Sequence, residues 1–222
     1  MSPEIITIRL PFPLNISYVN SYLVKSDKFF FLIDTGMTNA RRQLDAELEK
    51  QGCHPGELKL ILLTHGDFDH TGNAVYIRQR FGTQIAMHKG DQGMLESGDM
   101  FWNRKFDNRL LRGLMKAFMP FKAQNQGKPD ILLEDGISLS DYGLDATIYN
   151  TTGHSTGSIC ILTATGDLFA GDLLTNSTGK PMLNSMMYDK EAGAASLIRL
   201  KTLPIQTVYP GHGQPFPWEA LF

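Results

Sequence analysis

The sequence predicts an α/β fold in which two similar sheets pack face to face with helices outside. The first third of the chain alternates β-prone runs with a helical pattern, and the second half repeats a β-rich stretch followed by a helical one. A length of 222 residues, of which 42% are hydrophobic, is enough for one large core. We therefore expect a single domain over residues 1–222, with an insertion rich in methionine and aromatic residues around 90–128.

The first elements of the chain support this layout. Three short runs are rich in isoleucine, valine, phenylalanine and tyrosine and predict strands: IITIRL, SYLVKS and FFFLIDTG. A helix follows, because Ala40, Leu44 and Leu48 recur at helical spacing before Gly52 ends the pattern. The apolar run LKLILL is then typical of a buried strand. This order of strand, helix and strand favours layered α/β packing.

The later elements follow the same alternation. TGNAVYIRQRFG predicts a helix and TQIAMH a strand. Beyond the insertion, strands are predicted in ILLEDGISLS, DATIYNT, SICILTA and DLFAGD, followed by a helix in KEAGAASLIRLKTL and a strand in QTVYPGHG. No repeat of fixed period interrupts them, so a solenoid is not expected.

Composition narrows the classes of partner. Lysine and arginine number 21 against 23 acidic residues, which gives a net charge of -2 and no basic surplus for nucleic acid. The two cysteines form no CxxC pair, and no apolar run is long enough to span a bilayer or to form a signal peptide. We expect a cytoplasmic protein that acts on a small molecule and has no nucleic-acid or membrane partner.

One short stretch concentrates side chains that bind metals. THGDFDHTGN follows the buried strand LKLILL and offers His65, Asp67, Asp69 and His70 within six positions. Such groups repel one another or must be buried at a cost unless they bind something. The end of a buried strand in a layered α/β fold is also where ligands gather.

Four more fragments place a metal-binding or acidic residue beside a glycine at the end of a β-prone run. They are LIDTG, TTGHSTGS, FAGD and YPGHG, which carry Asp34, His154, Asp172 and His212. Glycine there lets the backbone turn sharply and leaves room for a ligand. If these strand ends share one edge of a sheet, the side chains converge.

Taken in order, LIDTG, THGDFDHTGN, TTGHSTGSI, LFAGDLL and VYPGHG resemble the five motifs of the metallo-β-lactamase superfamily of metal-dependent hydrolases. The resemblance runs from Asp34 to Gly213 and implies a four-layer αββα sandwich with a dinuclear metal site. It also implies a role for each residue: His65 and His154 bind the first metal, Asp69, His70 and His212 bind the second, Asp172 bridges both, and Asp34 braces the site without binding metal.

Asp67 departs from the commonest superfamily motif, HxHxDH, which has histidine at this position. Either Asp67 binds the first metal itself, or that site is weakened and only the second fills. We favour binding, because the flavodiiron branch of the superfamily also has an acidic residue there. An extra carboxylate favours iron or manganese more than a histidine would. We expect two divalent metal ions, with zinc as the leading candidate and iron or manganese as alternatives.

The resemblance implies hydrolysis by water activated at the metals, with Asp69 as the catalytic residue that orients the nucleophile or passes a proton to the leaving group. The expected substrate has an ester-like bond, such as a thioester or lactone. The alternatives are a non-haem iron oxidoreductase with flavodiiron-like chemistry and a ligand-binding member without turnover.

Substrate selection is predicted to come from segments around the metals. The residues from Met94 to Phe121 are expected to form a lid, an acyl pocket or a homodimer surface. The alternative is ordinary helical core. In the loop after Asp172, the side chains of Lys180, Asn184 and Tyr188 are candidates to contact a substrate oxygen.

Overall fold

The computed structural model describes residues 3–104 and 122–222 and contains two β-sheets. The strands of the first sheet lie in chain order. They are β1 (Glu4–Pro11), β2 (Tyr18–Lys25), β3 (Phe30–Ile33), β4 (Leu58–Leu63), β5 (Gln84–His88) and β6 (Ile131–Leu133). Strands β1 to β3 pair antiparallel, and β3 to β6 pair parallel. The parallel strands β3, β4 and β5 therefore end at the same edge of the sheet.

The second sheet comes from the C-terminal half. Its strands are β7 (Ala146–Asn150), β8 (Ile159–Thr163), β9 (Asp167–Asn176), β10 (Met182–Leu183), β11 (Thr207–Gly213) and β12 (Phe216–Pro217). The order across the sheet is β12, β11, β9, β8 and β7, with β10 paired to β9. Strands β9 and β11 are parallel, and the other pairs in this sheet are antiparallel.

Helices cover the outer faces of both sheets. The α-helices of the described residues are α1 (Arg41–Lys50), α2 (Phe68–Thr71), α3 (Ala74–Phe81), α4 (Gln92–Ser97) and α5 (Lys190–Leu200). Leu44 of α1 and Ile77 of α3 are fully buried against the first sheet. Leu200 of α5 is buried against the second. None of the helices in residues 3–104 and 122–222 is long and apolar enough to cross a membrane.

Alternation along β4 shows how the layers form. Ile61 and Leu63 pack with the outer helices, whereas Leu60 and Leu62 pack into the core between the two sheets. Because successive strand residues point to opposite faces, one apolar run serves two cores. Each fully buried Leu or Ile contributes about 1.5–3 kcal/mol relative to exposure. The predicted α/β fold, a four-layer αββα sandwich, is confirmed.

Some predicted elements differ in extent. The run ILLEDGISLS forms only the three residues of β6, because the chain turns at Gly136, whose φ is 79°. Strand β9 continues to Asn176, beyond the FAGD fragment that was predicted to end it. Phe106, Met115, Phe118, Met119 and Phe121 of the predicted insertion lie outside the described residues.

Candidate metal centre

The first motif lies where β4 ends, at the shared edge of the parallel strands. The chain turns after Leu63, runs through His65 and Asp67, and enters the short helix α2. Asp69 and His70 lie on α2, and all four motif side chains are buried. A loop at this edge places its polar groups in a crevice between the sheets, as is usual for ligand sites in α/β folds.

The second sheet brings three more side chains to the same place. His154 lies in the loop between β7 and β8, whereas Asp172 and His212 lie within β9 and β11. The prediction that Asp172 ends a strand is wrong. The β9–β11 pairing shifts register after Tyr209 and again before His212, and such bulges bend a strand and redirect its side chains. Asp172 therefore reaches the crevice from inside the sheet.

The predicted side chains converge in two clusters whose ligand atoms lie within 4.8 Å of one another. The clusters are His65, His154 and Asp172, here called the first cluster, and Asp69, His70 and His212, here called the second cluster. Asp172 reaches both clusters, because Oδ1 lies 3.4 Å from His70 Nε2 and Oδ2 lies 3.9 Å from His154 Nε2.

The four histidines of the two clusters are oriented alike. Each ring uses Nδ1 for a hydrogen bond and turns Nε2 towards the centre, which fixes the tautomer that a metal requires. The Nδ1 partners are Thr64 Oγ1 for His65 (3.0 Å), Asp34 Oδ2 for His70 (2.8 Å), the Met186 carbonyl for His154 (2.7 Å) and the Tyr18 carbonyl for His212 (2.8 Å).

Several atoms at the centre are buried and have no hydrogen-bond partner among residues 3–104 and 122–222. They include His65 Nε2, His70 Nε2 and Asp172 Oδ1. Unpaired buried polar atoms are rare and costly in folded proteins. Gly211 leaves space beside them, since a Cβ there would lie 2.2 Å from Asp172 Oδ1. Imidazole and carboxylate donors around such a space fit zinc, iron or manganese.

Asp34 lies where the resemblance places it. Its Oδ2 accepts hydrogen bonds from His70 Nδ1 and from the Thr64 hydroxyl, both at 2.8 Å, and Oδ1 accepts from the Thr64 backbone N–H. The Asp34 backbone has φ 56°, a left-handed conformation that non-glycine residues seldom adopt. The Asp34 carboxylate therefore contacts His70 at Nδ1, on the opposite side of the ring from the Nε2 that faces the centre.

Asp67 faces two ways. Its Oδ2 lies 2.8 Å from His154 Nε2 and 3.5 Å from His65 Nε2, so it points at the first cluster. The guanidinium of Arg104 pairs with the same carboxylate, with Nη1 2.8 Å from Oδ1 and Nη2 3.0 Å from Oδ2. Asp67 is thus placed to bind the first metal. It also forms an ion pair with Arg104, which the sequence did not predict.

The pKa values at the centre reflect close packing of opposite charges. Burial by itself would raise the pKa of Asp67, but the close contact with His154 and the charges of His65 and Arg104 hold it well below its usual range. Burial would lower the pKa of His212, but Asp172 and Asp69 raise it to about 10. Metal binding at His212 therefore competes with a proton, and this competition weakens as the pH rises.

Asp91 is a second residue that sequence analysis missed. Its fully buried carboxylate accepts hydrogen bonds from the Gly66 N–H at 3.0 Å, the Ser155 hydroxyl at 2.5 Å and the Gly157 N–H at 2.8 Å. These donors lie beside His65 and His154, so Asp91 joins the two loops of the first cluster. It lies three residues after the end of β5, and this position near a strand end is the one sequence signal that it shares with the predicted site residues.

The segments predicted to select substrate have mixed outcomes. Met94 packs on the first motif, since a Cβ at Gly66 would lie 2.6 Å from the Met94 Cβ. Asn184 is buried, and its Oδ1 accepts from the Met186 N–H, so the loop itself uses it. Lys180 and Tyr188 remain exposed on that loop.

Comparison with known proteins agrees with this geometry. A family model described as "Metallo-beta-lactamase superfamily" matches residues 14–212. The chain is 28% identical over 235 residues to the probable metallo-hydrolase YqjP of Bacillus subtilis, covering 96% of this chain and 72% of that protein. It is 29% identical over 220 residues to the human acyl-coenzyme A thioesterase MBLAC2, covering 91% and 76%.

Among solved structures, the fold is similar to TTHA1623 in a di-iron-bound form. The TM-score is 0.70 at 27% identity, and the match covers 95% of each chain.

Proposed function

Because the chain belongs to the metallo-beta-lactamase superfamily, we propose that it is a metal-dependent hydrolase that cleaves an ester-like bond of a small molecule. The observation that supports this most directly is the convergence of four histidine Nε2 atoms and the carboxylates of Asp69 and Asp172 on one crevice. All four rings are held by a hydrogen bond at Nδ1 and present Nε2 to the crevice. Groups fixed in this way need little reorganisation to bind ions and substrate.

The residues of the centre suit two divalent ions. His65, Asp67 and His154 would hold the first, Asp69, His70 and His212 the second, and Asp172 would contact both. Zinc is the first choice for this mixture of imidazole and carboxylate, and iron or manganese are alternatives. Such ions supply a nucleophile at neutral pH and polarise the oxygen of the bond under attack.

Asp69 is the proposed catalytic residue. Its Oδ2 lies 3.6 Å from His70 Nε2 and 3.3 Å from His212 Nε2, so the carboxylate faces the second cluster. About 13% of its side chain is exposed to the crevice, so it can contact substrate and water. We assign it to orient the attacking water and to carry a proton to the leaving group.

A thioester with an apolar acyl group fits the surroundings of the crevice. The loop between β1 and β2 carries Leu14 and Ile16, which are 94% and 77% exposed. Phe12 of the same loop packs beside His212, with ring centroids 6.0 Å apart. On the other side, Met186 is 69% exposed while its carbonyl holds His154. Apolar side chains at a polar centre are typical of ligand sites, and the relative MBLAC2 is named as an acyl-coenzyme A thioesterase.

The test is turnover of a panel of acyl thioesters of increasing chain length, together with esters and lactones. We expect thioester hydrolysis that is lost on chelation and restored by zinc or manganese. The Asp69→Asn variant should lose about 100-fold or more in kcat, in the range of a lost general acid or base. Full metal occupancy without any turnover would favour a binding protein. An iron-loaded protein that reduces oxygen or nitric oxide would instead favour an oxidoreductase.

A further inference from the structure

Arg104 is a mostly buried cation beside the first cluster. Its side chain is 11% exposed and that of Asp67 is 8% exposed. Both terminal nitrogens of Arg104 pair with the two carboxylate oxygens of Asp67. Arg104 Nη2 also lies 3.4 Å from the His154 carbonyl. A buried ion pair is costly to assemble and usually persists for a specific reason.

The Asp67 carboxylate stands between the guanidinium and the cluster. Its Oδ2 lies 2.8 Å from His154 Nε2, where the first metal would bind, and the same oxygen accepts a hydrogen bond from Arg104 Nη2 at 3.0 Å, while Oδ1 pairs with Nη1. A metal-binding carboxylate is normally supported by such an outer hydrogen bond. Here the support carries a full positive charge, which a backbone N–H or a hydroxyl would not.

The summed charge of the proposed centre indicates a role for the Arg104 cation. Two divalent ions bring four positive charges, and Asp67, Asp69 and Asp172 bring three negative ones. One positive charge would remain, against two if position 67 held a neutral histidine. Arg104 returns the total to two, because a guanidinium stays protonated in proteins.

Arg104 is held in place by contacts with both loops of the cluster. The neighbouring Asn103 donates its amide to the Gly90 carbonyl at 2.5 Å and to Asp91 Oδ1 at 2.8 Å. Asp91 in turn binds Gly66 and Ser155, which adjoin His65 and His154. The position of the guanidinium is therefore coupled to the loops that it faces.

We propose that Asp67 and Arg104 together replace the neutral histidine of the commonest motif, with Arg104 as a positioning residue that sets the charge presented to the first metal. This inference rests on the proposed metal centre and not on any particular substrate. It makes the two residues interdependent: a histidine at position 67 needs no guanidinium behind it, and a guanidinium without Asp67 faces a metal ion directly.

The experiment compares four proteins: the wild type, Asp67→His, Arg104→Met and the double variant. Metal content is measured after dialysis against graded chelator, and cobalt(II) spectra report the coordination of the bound metals. Asp67→His alone should hold its first metal roughly 10-fold more weakly than the double variant, a size usual for residues that support metal ligands. The double variant should hold two metals with an affinity close to that of the wild type.

Arg104→Met alone separates charge from simple support. Removing a positive charge near the ion should raise chelator resistance of the first metal, whereas loss of mere support would lower it. Arg104→Lys, which keeps the charge, should resemble the wild type. A first metal that is held more weakly in Arg104→Met, or equally well in Asp67→His and the double variant, would overturn the proposal.

Arg199→Met is a matched control. Arg199 and Asp135 form a similar two-fold pair, at 2.7 Å and 2.9 Å, but both are nearly half exposed and Asp135 is not a candidate ligand. This variant should leave metal content unchanged. Thermal unfolding of the metal-free proteins identifies any variant that does not fold. Failure of thioester turnover would not change any of these metal measurements, so the two proposals can fail separately.

Discussion

The two clusters of the candidate metal centre differ in the groups that contact their side chains from the side away from the crevice. In the second cluster, His70 is backed by the carboxylate of Asp34, and His212 by the Tyr18 carbonyl. In the first cluster, His154 is backed by the Met186 carbonyl, but Asp67, which faces this cluster, pairs with the cation Arg104. An anion behind a ligand strengthens its hold on a metal, and a cation weakens it. We therefore expect the second metal to bind more tightly than the first.

The clusters also differ in which parts of the fold position them. Asp34 directly follows β3, and His212 lies in β11, so the second cluster rests on paired strands of both sheets. The first cluster depends on two loops joined through Asp91 and on Arg104, which follows α4. Sites on strands and helices are held more firmly than sites on loops. The second cluster should thus be formed before any metal binds.

The largest loss of metal and activity is expected from a change beside Asp172, the residue that reaches both clusters. In Gly211→Ala, the added Cβ would lie 2.2 Å from Asp172 Oδ1 and 2.7 Å from His70 Cε1. Because Asp172 serves both clusters, we expect loss of both metals and a fall in activity of at least about 100-fold, as for a displaced reacting group. Metal analysis of the purified variant measures this.

Gly52→Ala is the control for that variant. Gly52 has φ 73° and open space around it, so its substitution strains the backbone at the end of α1 without touching the centre. It should lower stability by about 1 kcal/mol and leave both metals bound. If Gly211→Ala behaved in the same way, the space beside Asp172 would not be part of the metal centre.

The next largest effect should lower the metal affinity of the second cluster more than that of the first. Asp34→Asn keeps a residue type that tolerates the left-handed backbone at this position. It removes the charge that His70 Nδ1 faces, so metal affinity of the second cluster should fall about 10- to 100-fold. Stepwise competition with a chelator measures this, and the first cluster should change less. Equal losses in both clusters would contradict the expected difference.

Thr64→Val should give a smaller effect confined to the first cluster. The Thr64 hydroxyl donates to Asp34 Oδ2 at 2.8 Å and lies 3.0 Å from His65 Nδ1, which donates to it. Valine preserves the shape and removes this link, so the first metal should be held roughly fivefold more weakly, which corresponds to about 1 kcal/mol for one hydrogen bond. The same chelator titration reports it. A larger loss in the second cluster would mean that Thr64 acts mainly through Asp34.

These expectations draw on the sequence to different degrees. Spacing and strand ends were enough to single out eight candidate residues, because each stands beside a glycine or in one crowded motif. The resemblance then supplied their division into candidate ligands and the non-ligand Asp34. The αββα layers were predicted from alternating apolar runs and from the resemblance. A local pattern can carry such information because periodicity reflects which face of a strand is buried.

Arg104 could not be predicted in this way. It lies 37 positions from Asp67, within an aromatic segment whose pattern indicates apolar packing. The pairing arises only when Asn103 and Asp91 bring that segment to the first cluster. The β9 bulge at Asp172 was missed for a similar reason, since register shifts depend on the neighbouring strand rather than on local propensity.

The smallest expected effect concerns thiolates as rival ligands. Cys53 and Cys160 are fully buried and free, and burial raises the pKa of each thiol to about 12. Because the thiolate is the reactive form, neither cysteine should react with an alkylating reagent at pH 8 in the native protein, with or without metal. Both should react after unfolding in denaturant. Mass spectrometry after labelling checks this. A cysteine that becomes reactive only when metal is removed would contradict the expectation and would point to a thiolate ligand at one of the two clusters.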